Sequence, residues 1–258
     1  MPDSLKGFLE PGCTVVHLAY LQGGGESENL AATANLLKAC KDANIKRLIH
    51  CSTAAVVGRV SDNIVTEDTP CNPVSEYGIT KLKIEKAIVN VASLGFDVGI
   101  LRPTSVFGPE GGSLTKLIRN LTARKTLRNY LKSCLFNKRR MNLVHVGNVV
   151  AAVIFMIERQ ENFGGGIFIV SEDDNSKNNF ADVEHFLMDQ LRLTGYPVPT
   201  VSIPLYLLSI LLQLLGRNNV NPLCNYDPHK LLDLGFTRPI GFEVGLKNYS
   251  DWYRANNR

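Results

Sequence analysis

A tyrosine and a lysine lie four residues apart in Ser75-Glu76-Tyr77-Gly78-Ile79-Thr80-Lys81, and their types suit proton transfer. On a helix that spacing stacks Tyr77 and Lys81 on one face, one turn apart. A phenol ordinarily titrates near 10, and bringing it near 7 takes roughly 4 kcal/mol of preference for the phenolate. A nearby cation can supply part of that. The pair alone equally fits a half-buried ring beside a solvated ammonium. Its company sharpens the reading: Ser52-Thr53 closes an apolar run upstream, and Leu101-Arg102-Pro103 closes another downstream.

Those runs read as strands that must position the pair. Cys13 to Ala19 is a compact apolar run, predicted as a strand buried on both faces. A Gly23-Gly24-Gly25 turn and a helix over Glu26–Ala43 follow, then a strand over Arg47–Cys51. After a long polar loop come a helix from Tyr77 to Leu94, closed by Gly95, and a strand over Asp97–Leu101. Strand and helix in alternation predict an α/β fold with a doubly wound parallel sheet. Its ligand site lies at the carboxyl ends of the strands, where Thr53 and Pro103 fall. Further on, helices are expected over Asp3–Glu10, Ser113–Ala123, Val149–Glu158, Phe180–Leu193, Leu205–Leu215, Asp227–Leu234 and Phe242–Asn256. Strands are expected over Asn142–Val146 and Gly166–Val170. Arg124 to Arg140 reads as a basic region without an assigned element.

The chain has 258 residues and a net charge of +4, enough for one core with a smaller lobe. The basic cluster lacks interleaved stacking aromatics, so nucleic acid is not expected. An anionic small molecule or a solvated face fits it better. Six cysteines show no Cys-x-x-Cys pair; they read as free thiols of a cytoplasmic protein, and no metal site is expected. His17 and His145 sit in apolar runs and read as packed histidines. The apolar stretch Val201–Gly216 is short for a membrane span. A buried or interfacial helix is the first reading, peripheral membrane contact the second.

Several motifs in order resemble the extended short-chain dehydrogenase/reductase superfamily, in its NAD-dependent epimerase/dehydratase group. They are Val16-His17-Leu18-Ala19, Asn29 to Leu37, Cys51 to Gly58, Tyr77-x-x-x-Lys81, Leu101 to Pro109 and Leu143-Val144-His145-Val146. The resemblance implies NAD or NADP as cofactor and Tyr77 as the acid/base. Lys81 would hold the nicotinamide ribose and lower the Tyr77 pKa, and Thr53 would hydrogen-bond the reacting oxygen. Ala19, Ser52 and Pro103 would also contact the cofactor, and Asn29 and Arg140 the substrate. Residues 1–110 would form a partial dinucleotide-binding region and 111–258 a substrate lobe interleaved with the last strands. The family's first strand and Gly-x-x-Gly-x-x-Gly turn are not found, and Gly23-Gly24-Gly25 has the wrong spacing to replace them. The Rossmann-like sheet is therefore expected to be incomplete, with weak dinucleotide binding and an open edge at the first strand. The substrate implied is a small molecule, first a nucleotide sugar. The alternatives are a sterol-like molecule, as in 3β-hydroxysteroid dehydrogenases, whose group Val146-Gly147-Asn148-Val149 resembles, and a non-catalytic fragment that associates through the open edge. A homodimer is implied by the resemblance alone.

Overall fold

The computed structural model describes residues 5, 7–91, 95–123, 126–214 and 221–256. The predicted alternation is present: β1 (Thr14–His17), α1 (Glu26–Asp42), β2 (Arg47–Cys51), β3 (Ile64–Val65), α2 (Glu76–Val91) and β4 (Asp97–Pro103). β5 (Ser105–Phe107), α3 (Thr115–Thr122), α4 (Thr126–Phe136), β6 (Leu143–His145), α5 (Val146–Glu158), β7 (Gly166–Val170) and α6 (Phe180–Gln190) follow. The chain continues through α7 (Leu205–Leu214), β8 (Asn225–Tyr226), α8 (His229–Leu232) and α9 (Phe242–Asn256).

β1, β2, β4 and β7 form one parallel sheet in that spatial order. Neighbouring residues of the central strands point to opposite faces, so each strand feeds two cores. Leu48, Val98 and Ile100 pack on Leu37, Cys40, Ile84 and Ile88 of α1 and α2. Ile49 and Leu101 pack on Ala152 and Met156 of α5 and Leu231 of α8. Burial on both faces is why β2 and β4 read as near-continuous apolar runs. At the amino end of the sheet the buried Arg47 bonds Asp97 at 2.7 Å and the carbonyls of Met156, Arg159 and Glu161.

Past Pro103 the chain leaves the sheet. Thr104 N–H still donates to Val170 O, but β5 pairs with β6. This step leads into a second core built from α3, α6 and α9 around Ile118, Leu143, Leu187, Leu246 and Tyr249. The six cysteines are free thiols.

Several expectations need correction. β1 ends at His17, and Leu18 and Ala19 are exposed. All four β1 residues are half-buried, because β1 is the edge of the sheet and one neighbour covers it. The basic region holds a helix, α4, whose signal was an apolar set at Tyr130, Cys134 and Leu135 obscured by its cations. α5 begins at Val146 because the His145 side chain caps it, accepting from Gly147 N–H at 3.1 Å. The Asp227–Leu234 segment is helical only over four residues. The first helix expectation, at Asp3–Glu10, falls partly outside the described residues, and residues 7–10 are not helical. Leu94, Arg124, Lys125 and Leu215 also lie outside the described residues.

Candidate active site

α2 carries the Tyr77 and Lys81 pair, and three features place its first turn. Ser75 Oγ accepts from Gly78 N–H at 3.1 Å and caps the helix. At Gly78 an added Cβ would sit 2.7 Å from the Ala55 carbonyl, so only glycine lets α2 approach the turn after β2 this closely. Farther along, Glu85 makes a two-pronged bond to Arg102 of β4, at 3.1 and 2.7 Å, with both side chains about 3% exposed. The Arg-Pro motif is thus partly a structural anchor: Arg102 sets the rotation and height of the helix that carries Tyr77.

Lys81, one turn before Glu85, is also buried. Its Nζ donates to Cys51 O at 3.0 Å and lies 5.4 Å from the centre of the Tyr20 ring. Tyr20 in turn meets Tyr77 edge-on, with centroids 5.0 Å apart. Tyr77 keeps 41% exposure at the strand-end edge. Thr53, two residues past the end of β2, accepts from Ala55 N–H at 3.2 Å, and its side chain lies beside Tyr77. The structure therefore brings Tyr77, Thr53 and Lys81 together at the carboxyl edge, as the sequence spacing requires.

Their electrostatics differ from the expectation. Burial pushes the Tyr77 phenol above its ordinary value, helped by the Cys51 thiol, while the Thr53 side chain offsets part of the rise. Burial lowers the pKa of Lys81 itself, against Cys51 and Glu85, which raise it. In this structure Tyr77 is a neutral phenol, a proton donor.

Behind the site, His17 and His50 face each other, with Nδ1 atoms 3.0 Å apart. Burial, then Lys81, holds His17 down to about 4; burial and the same lysine hold His50 well below its usual range. Both are neutral, and one Nδ1–H donates to the other ring.

The remaining predicted residues divide. Ser52 is buried, and its Oγ has no hydrogen-bond partner among the described residues. Pro103 is buried at the end of β4. Ala19 is exposed just past β1. Asn29 is a correction. Its amide donates to the carbonyls of Leu21, Gly24 and Gly25 and its oxygen accepts from Leu21 N–H, so both ends hold the glycine turn. That turn opens α1 with Glu26 and Glu28 in the first helical turn, which opposes an anion there. Arg140 donates to the carbonyls of Asn175 and Ser176. It also lines a cavity of about 600 Å³ with Arg139, Arg128, Lys116, Leu208 and Leu211. Arg119 is exposed and outside that lining. Ser105, two residues past Pro103, donates from its Oγ to the cavity's Ser113 at 3.1 Å and from its N–H to the Asn142 carbonyl.

Two buried carboxylates were missed. Glu172 accepts from His145 N–H and Asn148 Nδ2, and burial pushes it up to about 7. Asp173 accepts from Asn142 Nδ2 and Tyr226 N–H and is pushed up to about 6. The signal was their position directly after a buried strand. Their bonds tie β6, α5 and β8 to the end of β7. Among the described residues no group of His, Cys, Asp and Glu could hold a metal ion.

The chain was compared with known proteins. It is 28% identical over 241 residues to UDP-glucose 4-epimerase of Vibrio cholerae, covering 89% of this chain and 70% of that one. It is 28% identical over 154 residues to human sterol-4-alpha-carboxylate 3-dehydrogenase, decarboxylating, covering 57% and 40%. The chain thus spans between two fifths and seven tenths of these relatives. The fold is that of UDP-glucuronic acid 4-epimerase from Bacillus cereus, solved in complex with NAD. The TM-score is 0.73 at 19% identity, over 98% of this chain and 76% of that one. The model of the NAD dependent epimerase/dehydratase family matches residues 3–171, which include β1 to β7 and all three residues of the strand-end cluster. The chain belongs to that family.

Proposed function

We propose that the chain performs NAD(P)-dependent redox chemistry on a hydroxyl-bearing carbon of a nucleotide sugar, with Tyr77 as the proton-transfer residue. The observation that carries this reading is the placement of the Tyr77 and Thr53 side chains together at the carboxyl edge of the sheet, with the Lys81 ammonium buried behind them. The residues present fit the nicotinamide end of a dinucleotide. Ser52 offers a buried hydroxyl without a partner among the described residues, and Lys81 has three N–H donors, one of them given to Cys51 O. Ala19 and Pro103 would flank it at the strand ends. The bound dinucleotide supplies the acceptor and donor of hydride. Tyr77 passes its phenolic proton to the substrate oxygen in the reducing direction and takes it back in the oxidising one. Thr53 steadies the charge on that oxygen. Residues 111–258 form the substrate lobe in this reading, and residues 1–110 the cofactor side. Arg139 and Arg140 in the cavity suit a diphosphate. The printed function of the Vibrio cholerae relative supports a nucleotide-sugar substrate.

The leucines of the same cavity support a second reading, a sterol-like substrate, and the human relative points the same way. Parallel assays with saturating NAD or NADP separate the two. UDP-glucose epimerisation without hydroxysteroid oxidation is expected; the reverse pattern overturns the nucleotide-sugar assignment.

A further inference from the structure

The charge of this chain is distributed very unevenly. Residues 111–140 and 191–221 hold eleven Lys and Arg and no Asp or Glu, whereas the rest holds seventeen against twenty-four. A chain of net +4 therefore has a region of +11 set against a remainder of −7. Apolar side chains also face solvent within the basic region. On α7, Tyr206, Ile210 and Leu214 recur at every fourth residue and are 66, 51 and 80% exposed. Leu208 and Leu212, on the opposite stripe, are buried. On α4, Leu127 and Leu131 are 72 and 58% exposed.

These two helices are one surface element. α4 packs on α7, and the segment leading into α7 is pinned to α4. Tyr130 Oη donates to Pro199 O at 3.1 Å, and Ile203 N–H donates to Cys134 O at 3.2 Å. Exposed cations lie on α4 and on α3, which packs against it: Arg128 on α4, and Lys116 and Arg119 on α3.

We infer that the α4–α7 face docks this protein onto the surface of an anionic lipid bilayer. A helix with one apolar stripe and a basic surround lies in the plane of the interface, its leucines among the acyl chains and its cations at the headgroups. α7 has ten residues, and no described helix is long and apolar enough to cross a membrane, so the contact is peripheral. A second copy of the chain fits less well, since it would bring two strongly basic regions together. A nucleic acid would satisfy the cations and leave the leucine stripes in water. This inference does not depend on which substrate the cavity takes.

Vesicle flotation of the full chain tests it, with phosphatidylcholine vesicles and with phosphatidylcholine vesicles containing phosphatidylglycerol. The chain floats with the anionic vesicles and not the neutral ones, and added salt weakens the association. Substituting Tyr206→Ser, Ile210→Ser and Leu214→Ser together lowers it by roughly tenfold or more, and Leu127→Ser with Leu131→Ser acts in the same sense. Circular dichroism of each variant matches the wild type, because every changed side chain is exposed. No flotation with anionic vesicles, or flotation that both variants retain in full, overturns the inference. A dimer that the α7 variant dissociates, without flotation, assigns the face to self-association and overturns it. Binding to an oligonucleotide without flotation does so too.

Discussion

Tyr77 is neutral in this structure because burial of its ring raises the phenol above its ordinary value. Spectrophotometric titration should therefore give a phenolate difference signal, wild type minus Tyr77→Phe, that develops above the ordinary tyrosine range. A signal developing at or below neutral pH would show that Lys81 reaches Tyr77 despite its bond to Cys51 O. The residue types and their spacing were legible in the sequence, since the Tyr77-to-Lys81 interval fixes a shared helix face and Thr53 follows a strand. The direction of the pKa shift was not. It depends first on how far the fold buries the ring, which neither residue type nor spacing reveals. Asn29 shows the same limit: the sequence placed it near the cleft, but its four hydrogen bonds are local.

At the scale of elements, α2 is held in register by Ser75, Gly78 and the Glu85–Arg102 pair. A buried ion pair costs most when one partner is removed, because the other charge is left without compensation. Arg102→Met should lower unfolding stability by about 3–5 kcal/mol, while Arg102→Met with Glu85→Leu should cost clearly less than the two single substitutions summed. Denaturant melts of the four proteins in the cycle measure this, and simple additivity would show that the pair does not act as a unit. The parallel strands and α1, α2 and α5 could be read in advance because two-sided burial and helical periodicity leave strong patterns. α4 could not, because seven cations between residues 124 and 140 mask its apolar face. The two-residue strands β3 and β8 leave no periodic trace, since two residues carry no alternation.

Over the whole molecule, buried titratable groups pull stability in opposite directions. His17 is held down to about 4 and His50 well below its usual range, while both titrate near 6.5 when unfolded. Below about 6.5 the unfolded chain binds protons that the folded chain refuses, so stability is lost as pH falls through that window. Glu172, at about 7, acts in the reverse sense: the stability it contributes is present at low pH and is lost as pH rises to its folded value. Comparing thermal or denaturant stability of the wild type with His17→Gln plus His50→Gln isolates the histidines. Between pH 7 and 5 the wild type should lose more than the double variant, by roughly 2 kcal/mol for His17 alone and by more with His50. Equal losses would mean that the folded pair takes up a proton. The family match over residues 3–171 and the parallel sheet support a cofactor at the same edge as Tyr77 and Thr53. The most direct measurement of the central claim is UDP-glucose turnover at saturating NAD by the wild type and by Tyr77→Phe. The account predicts a fall in kcat of about 10²–10⁴-fold with little change in KM, whereas a variant that turns over at the wild-type rate would contradict Tyr77 as the proton-transfer residue.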